Sequence, residues 1–150
     1  MRIYIETSVI SAYHFGPPGT KRPTHSFFAK CALRDYELLT SEVAIREIDE
    51  ADMRIRRKLR AVLAKHRVKV GRMSPQAFTL TDAYLEAGLI PKEVSADAEH
   101  IAAASILAVD ALVSWNLRHI VNLRTKLMVK EINEARGHPV PSIIRPDEVV

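Results

Sequence analysis

The sequence predicts an α/β fold with a short parallel sheet enclosed by helices, and three observations predict it. Short apolar runs alternate with helical patterns along the chain, the order that β-α-β units produce. Two of those runs, Ile3 to Glu6 and Ala111 to Trp115, read as continuously apolar, as strands covered on both faces do. With 150 residues and 47% hydrophobic content, the chain suits one compact domain, residues 1–150, with a real core.

Each element follows in order. Ile3 to Glu6 supplies the first strand, and a helix opens at Ser8. Gly16 to Pro23, containing Pro17, Pro18 and Gly19, reads as an Ω-like loop or lid before a second helix starting near Thr24. Glu37 to Thr40 is the second strand. Ser41 can cap a helix reaching about Ala51, and a basic helix runs from roughly Arg54 to His66. Ser74 before Pro75 is a helix cap followed by a first-turn proline. The segment Asp97 to Ala108 is apolar nearly all round, which argues for a buried helix. Ala111 to Trp115 forms the third strand, Leu123 to Arg136 a helix stopped by Gly137 and Pro139, and Ser142 to Ile144 the last strand.

Several acids stand where such a domain would place apolar residues. Glu6 ends an apolar strand. Glu47 falls between Val43 and Ala51 on the apolar side of its helix when residues are placed about 100° apart. Asp97 shares a stripe with Ile101, Ala104 and Ala108. Burying carboxylates together is costly unless a cation neutralises them, so the set points to a metal site. Bland readings stand beside this one: Glu47 snorkelling or paired with an arginine, and Asp97 complementing the helix dipole. His100, alone on the alanine-rich helix, reads as a hydrogen-bonded structural residue and is left out of the metal set. Asn116 directly follows the third strand. Open parallel sheets place sites just beyond strand carboxyl ends, where Asn116 could offer a carbonyl or serve only as a turn residue.

Charge supplies a second theme. The formal net charge is +4, compatible with a polyanionic partner. Arg54, Arg56, Arg57, Lys58 and Arg60 crowd one helix on which Ile55, Leu59 and Val62 repeat at core spacing, giving a positive ridge that either contacts RNA phosphates or is simply solvated. The one cysteine, Cys31, excludes an internal disulfide and is expected to be a small buried residue. Met1 leads straight into a strand, and no apolar stretch approaches the roughly 20 residues of a membrane span, so a cytoplasmic protein without membrane association is expected. No P-loop or dinucleotide-binding glycine pattern occurs. The first strand carries one acid followed by Thr7, rather than the acidic pair of a receiver domain or a haloacid-dehalogenase-like phosphatase.

Four segments, IYIETSVISAY, LLTSEVAIREI, SADAEHIAAAS and DALVSWNLRHI, resemble the successive motifs of PIN-domain ribonucleases, most closely the VapC-like toxin subunits of toxin–antitoxin pairs. The similarity spans residues 1 to about 122. It implies a PIN-like three-layer fold and a site in which Glu6, Glu47, Asp97 and Asn116 bind magnesium or manganese. Ser8 occupies the position of a small hydroxyl that orients the site, and Ser114 matches a second such position. The family usually has aspartate at the positions of Glu6 and Asn116. This chain therefore brings three carboxylates rather than four.

The implied activity is metal-dependent hydrolysis of RNA phosphodiester bonds, with a cognate antitoxin protein and a homodimer as implied partners. The competing expectation is a catalytically impaired PIN domain that binds RNA or protein, for which Glu6 and Asn116 are the evidence.

Overall fold

The computed structural model describes residues 1–150 and contains five strands and seven α-helices. The strands are β1 (Arg2–Ile5), β2 (Glu37–Ser41), β3 (Lys69–Gly71), β4 (Ala111–Val113) and β5 (Ser142–Ile144). The helices are α1 (Thr7–Ala12), α2 (Lys21–Leu33), α3 (Glu42–Asp49), α4 (Met53–Lys65), α5 (Pro75–Glu86), α6 (Ser95–Ile106) and α7 (Leu123–Ala135). All strand pairs are parallel, in the order β3-β2-β1-β4-β5.

Alternation along each strand distributes side chains between two cores. Ile3, Ile5, Leu38, Ala111 and Val113 face a cluster built with α1 to α4, including Phe27, Phe28, Ile48 and Val62. Tyr4, Leu39, Leu112 and Ile143 face the other side, against Leu80, Tyr84, Ile101 and Val129 from α5, α6 and α7. Helices therefore cover both sheet faces, giving the three-layer α/β architecture the sequence predicts. Each large apolar side chain so buried contributes roughly 1.5–3 kcal/mol. The second cluster also holds a polar knot, in which Tyr84 Oη donates to Asn133 Oδ1 at 2.5 Å and Asn133 Nδ2 donates to Ser105 Oγ at 2.9 Å, tying α5, α6 and α7 together. Cys31 is buried in the first cluster, and burial pushes its thiol up to about 12.

Local chemistry sets most helix starts. Ser41 Oγ, Asp52 Oδ1, Ser74 Oγ and Asn122 Oδ1 accept from backbone amides in the first turns of α3, α4, α5 and α7. Two expectations are corrected. The loop expected over Gly16 to Pro23 ends at Thr20: α2 already begins at Lys21, because Pro23 falls in the first helical turn, where a missing N–H costs nothing. A fifth strand, β3, was also not expected. Its sequence, KVG, is short and largely exposed at the sheet edge, so it carries no apolar signature. No helix is long and apolar enough to cross a membrane.

Candidate active site

The chain builds outward from β1 in one direction through β2 and β3, then returns to add β4 and β5 on the other side. The order reverses between β1 and β4, and such switch points open a crevice at strand carboxyl ends. Glu6 and Ser114 sit there, immediately after β1 and β4. Glu6 is 4% exposed, and its Oε2 caps α1 by accepting from Ser8 N at 3.1 Å. The same oxygen accepts from Ser8 Oγ and, at 2.7 Å, from Ser114 Oγ. Trp115 N donates to Ser8 Oγ at 2.9 Å, and Asn116 N to Ser114 Oγ at 2.9 Å. Both hydroxyls are thereby oriented toward the acid. Only neutral donors bond to the Glu6 carboxylate.

Glu47 arrives from α3 with its side chain 30% exposed and is held differently. Its Oε1 accepts from Thr7 Oγ1 at 2.7 Å and from His100 Nε2 at 2.5 Å. His100 is fully buried on α6, and its Nδ1 lies 2.7 Å from Tyr4 Oη, which in turn is 2.7 Å from Ser41 Oγ. Burial works against a charged imidazole, but the Glu47 hydrogen bond and the charges of Glu6, Glu47 and Asp97 prevail, so the His100 pKa is raised. Burial likewise disfavours the Glu47 carboxylate, yet His100, Thr7 and Arg46 outweigh it and its pKa is lowered. Both shifts favour the charged forms of this hydrogen-bonded pair. Ligand atoms of Glu6, Glu47 and His100 lie within 4.8 Å of one another.

Asp97, in the first turn of α6, has a 13% exposed side chain. Its Oδ2 accepts from Asn116 Nδ2 at 3.1 Å and meets His119 Nδ1 at 3.0 Å. Asn116 Oδ1, the atom a cation would need, instead accepts from His119 N at 3.0 Å. That bond fixes which way the amide points. Asn116 thus braces Asp97 and caps the turn after β4.

The whole chain superposes on VapBC2 from Rickettsia felis, solved bound to a DNA fragment from its promoter: the match covers 97% of this chain and 98% of that one, with a TM-score of 0.63 and 14% identity. The two share a PIN-like three-layer fold. No protein-family model matches the sequence, and no curated protein does.

Within this PIN fold, the sequence-expected acids separate into a close pair and a neighbour. Glu6 and Glu47 share one cluster, whose third member is His100, while Asp97 belongs to an adjoining network with Asn116 and His119. Ser8 and Ser114 both bond to Glu6. His100 is hydrogen-bonded, as read from the sequence, but its partner Glu47 was not foreseen; Thr7 and His119 went unrecognised as parts of this region. For His100 the available signal was its spacing: three residues after Asp97, it lies on nearly the same helical side, amid alanines too small to shield a polar group. His119 carried no comparable signal.

The basic ridge is less free than its composition suggests. On α4 of this PIN fold, Arg60 pairs with Asp49 at 2.6 Å, Arg56 donates to Ala51 O at 3.3 Å, and Lys58 lies 5.6 Å from the Phe15 ring centre. Arg54 and Arg57 remain exposed.

Two carboxylates so close at the crevice of a PIN fold offer hard oxygen donors to a divalent cation. His100 is a less suitable ligand in this arrangement, since both ring nitrogens already have partners. The donor chemistry fits magnesium or manganese, with Glu6 and Glu47 as ligands and Asp97 alongside.

Proposed function

We propose that this protein is a magnesium- or manganese-dependent endoribonuclease, the toxin of a toxin–antitoxin pair, with Glu6, Glu47 and Asp97 holding the metal. The observation that supports it most is the meeting of Glu6 and Glu47 at the β1/β4 switch point of a PIN fold, with one of the two carboxylates lacking a cationic partner. A bound divalent ion would polarise the scissile phosphate and lower the pKa of an attacking water. Ser8 and Ser114 orient Glu6; Thr7 and His100 orient Glu47; Asn116 and His119 orient Asp97. The same reading makes residues 1–150 one catalytic domain, acting in the cytoplasm as a homodimer and inhibited by a cognate antitoxin. Arg54, Arg56, Arg57, Lys58 and Arg60 on α4 are the basic residues whose sequence pattern suggests contact with RNA.

Incubating the protein with single-stranded RNA and manganese tests this reading. Cleavage abolished by chelator and by Glu47→Gln is expected; cleavage indifferent to chelator overturns it.

One observation favours a second reading. Asn116 brings no charge, and its oxygen is already engaged by His119 N, so only three carboxylates serve the site. An impaired PIN domain that binds RNA or protein without cutting would follow. Tight RNA binding with no cleavage at any manganese concentration would decide for it.

A further inference from the structure

A cleft of about 600 Å³ lies between the end of α5 and the segment leading into α7, a size in the roughly 300–1,000 Å³ range of ligand sites. Lys92, Arg118 and Arg124 line it, together with His119, and no aspartate or glutamate does. His119 belongs to both regions, because its Nδ1 bonds Asp97 Oδ2 at 3.0 Å. The cationic cleft therefore adjoins the acidic crevice at His119. Its walls are held by the chain itself: the Arg124 guanidinium donates to Gly88 O at 2.8 Å and Leu89 O at 3.0 Å, and Asn122 Nδ2 donates to Leu117 O and Arg118 O. Arg118 and Lys92 are exposed and form no salt bridge. The start of α7 opens on the same space through Asn122, Arg124 and Thr125, adding the positive end of a helix dipole.

We propose that this cleft, rather than the α4 ridge, is where the RNA strand binds on its way to the acids, with Lys92 and Arg118 contacting its phosphates and Arg124 positioning the wall. The inference rests on the proposed nuclease reading. Its electrostatic logic is direct. A polyanion is repelled by the acidic crevice, and unpaired cations next to that crevice offset the repulsion, whereas most α4 cations already have partners. Other large cavities lack this character. The cleft beside Phe28 and His66 mixes Lys65, Arg67 and Lys69 with Asp35 and Glu37, and Lys69 pairs with Glu37 at 3.0 Å.

The test is fluorescence anisotropy with a labelled single-stranded RNA of mixed sequence, in chelator so that nothing is cut. It compares wild type with K92E/R118E, the milder K92Q/R118Q and the α4 pair R54E/R57E. All four residues are exposed, so the variants should fold, which melting curves verify. The expected result is at least tenfold weaker binding for K92E/R118E and a smaller loss for K92Q/R118Q. R54E/R57E should lose less than threefold. The slope of log affinity against log salt should fall by about 1.4 in K92Q/R118Q, at roughly 0.7 for each phosphate contact with a single strand. Unchanged affinity in both cleft variants overturns the inference alone and leaves the cleft to an acidic protein segment. A loss confined to R54E/R57E overturns it in favour of α4. No RNA binding by wild type overturns this inference and leaves the nuclease reading to the manganese cleavage assay.

Discussion

Glu6 and Glu47 approach the same crevice from opposite environments. Glu6 is buried, yet every donor that reaches it is neutral: an amide and two hydroxyls. Glu47 is partly open to solvent but bonded to an imidazole whose pKa is raised toward the charged form. A carboxylate held by hydroxyls keeps its negative charge available, while one paired with histidine has much of it offset. The contrast assigns different work to each. On the proposed reading, Glu6 supplies the attraction for a cation, and the Glu47–His100 pair couples that attraction to the stability of α3 and α6.

Breaking the pair should have the largest effect. His100→Ala removes the partner of Glu47, opens a cavity among the alanines of α6 and takes a neighbour from the Tyr4 hydroxyl. We expect a loss of roughly 3 kcal/mol in the metal-free protein, read from urea unfolding. Glu6→Gln keeps an oxygen that can accept from Ser8 and Ser114, so it should cost only about 1 kcal/mol. A loss as large as that of His100→Ala would erase the contrast between the two acids.

Acidity sharpens the comparison. His100, with a folded pKa above its ordinary 6.5, contributes stability that is complete below that value and is lost as pH rises through the raised one. Glu47, with a folded pKa below its ordinary 4.5, contributes stability that is present above that value and is lost as pH falls through the lowered one. The pair is therefore worth most between pH 4.5 and 6.5. In chelator, the stability gap between wild type and His100→Gln should peak in that window and shrink on both sides, whereas the Glu6→Gln gap should not track it. A His100→Gln gap that stays flat from pH 5 to 8 would show the imidazole to be neutral throughout.

Smaller effects are expected farther out. Asn116→Asp replaces the donor to Asp97 with a second carboxylate, costing about 1 kcal/mol without metal, and manganese should stabilise this variant more than wild type. Equal manganese shifts in melting temperature would place Asn116 outside any metal's reach. Arg60→Ala, which breaks an exposed pair with Asp49, should change stability by less than about 0.5 kcal/mol.

Where burial dictated composition, the sequence was readable. β1 and β4 are covered on both faces and announce themselves as unbroken apolar runs; β3 lies at an edge, mostly exposed, and its three residues announce nothing. Ser41 and Ser74 declared their helix starts because capping is a local bond. The acids Glu6 and Glu47 stood out by contradicting an apolar pattern. His100 also contradicted one, but a single buried histidine is ordinary until its partner from α3, 53 residues away in the chain, is known. His119 and Asn116 depend on how one turn folds against Asp97. Periodicity does not encode that.

Manganese titration followed by melting temperature, on wild type, Glu6→Gln and Glu47→Gln at pH 7, tests the central claim that these two carboxylates share one divalent ion. The account predicts a saturable rise in melting temperature for wild type and almost none for either variant, each remaining folded in chelator. Equal manganese-induced rises in all three proteins would contradict it.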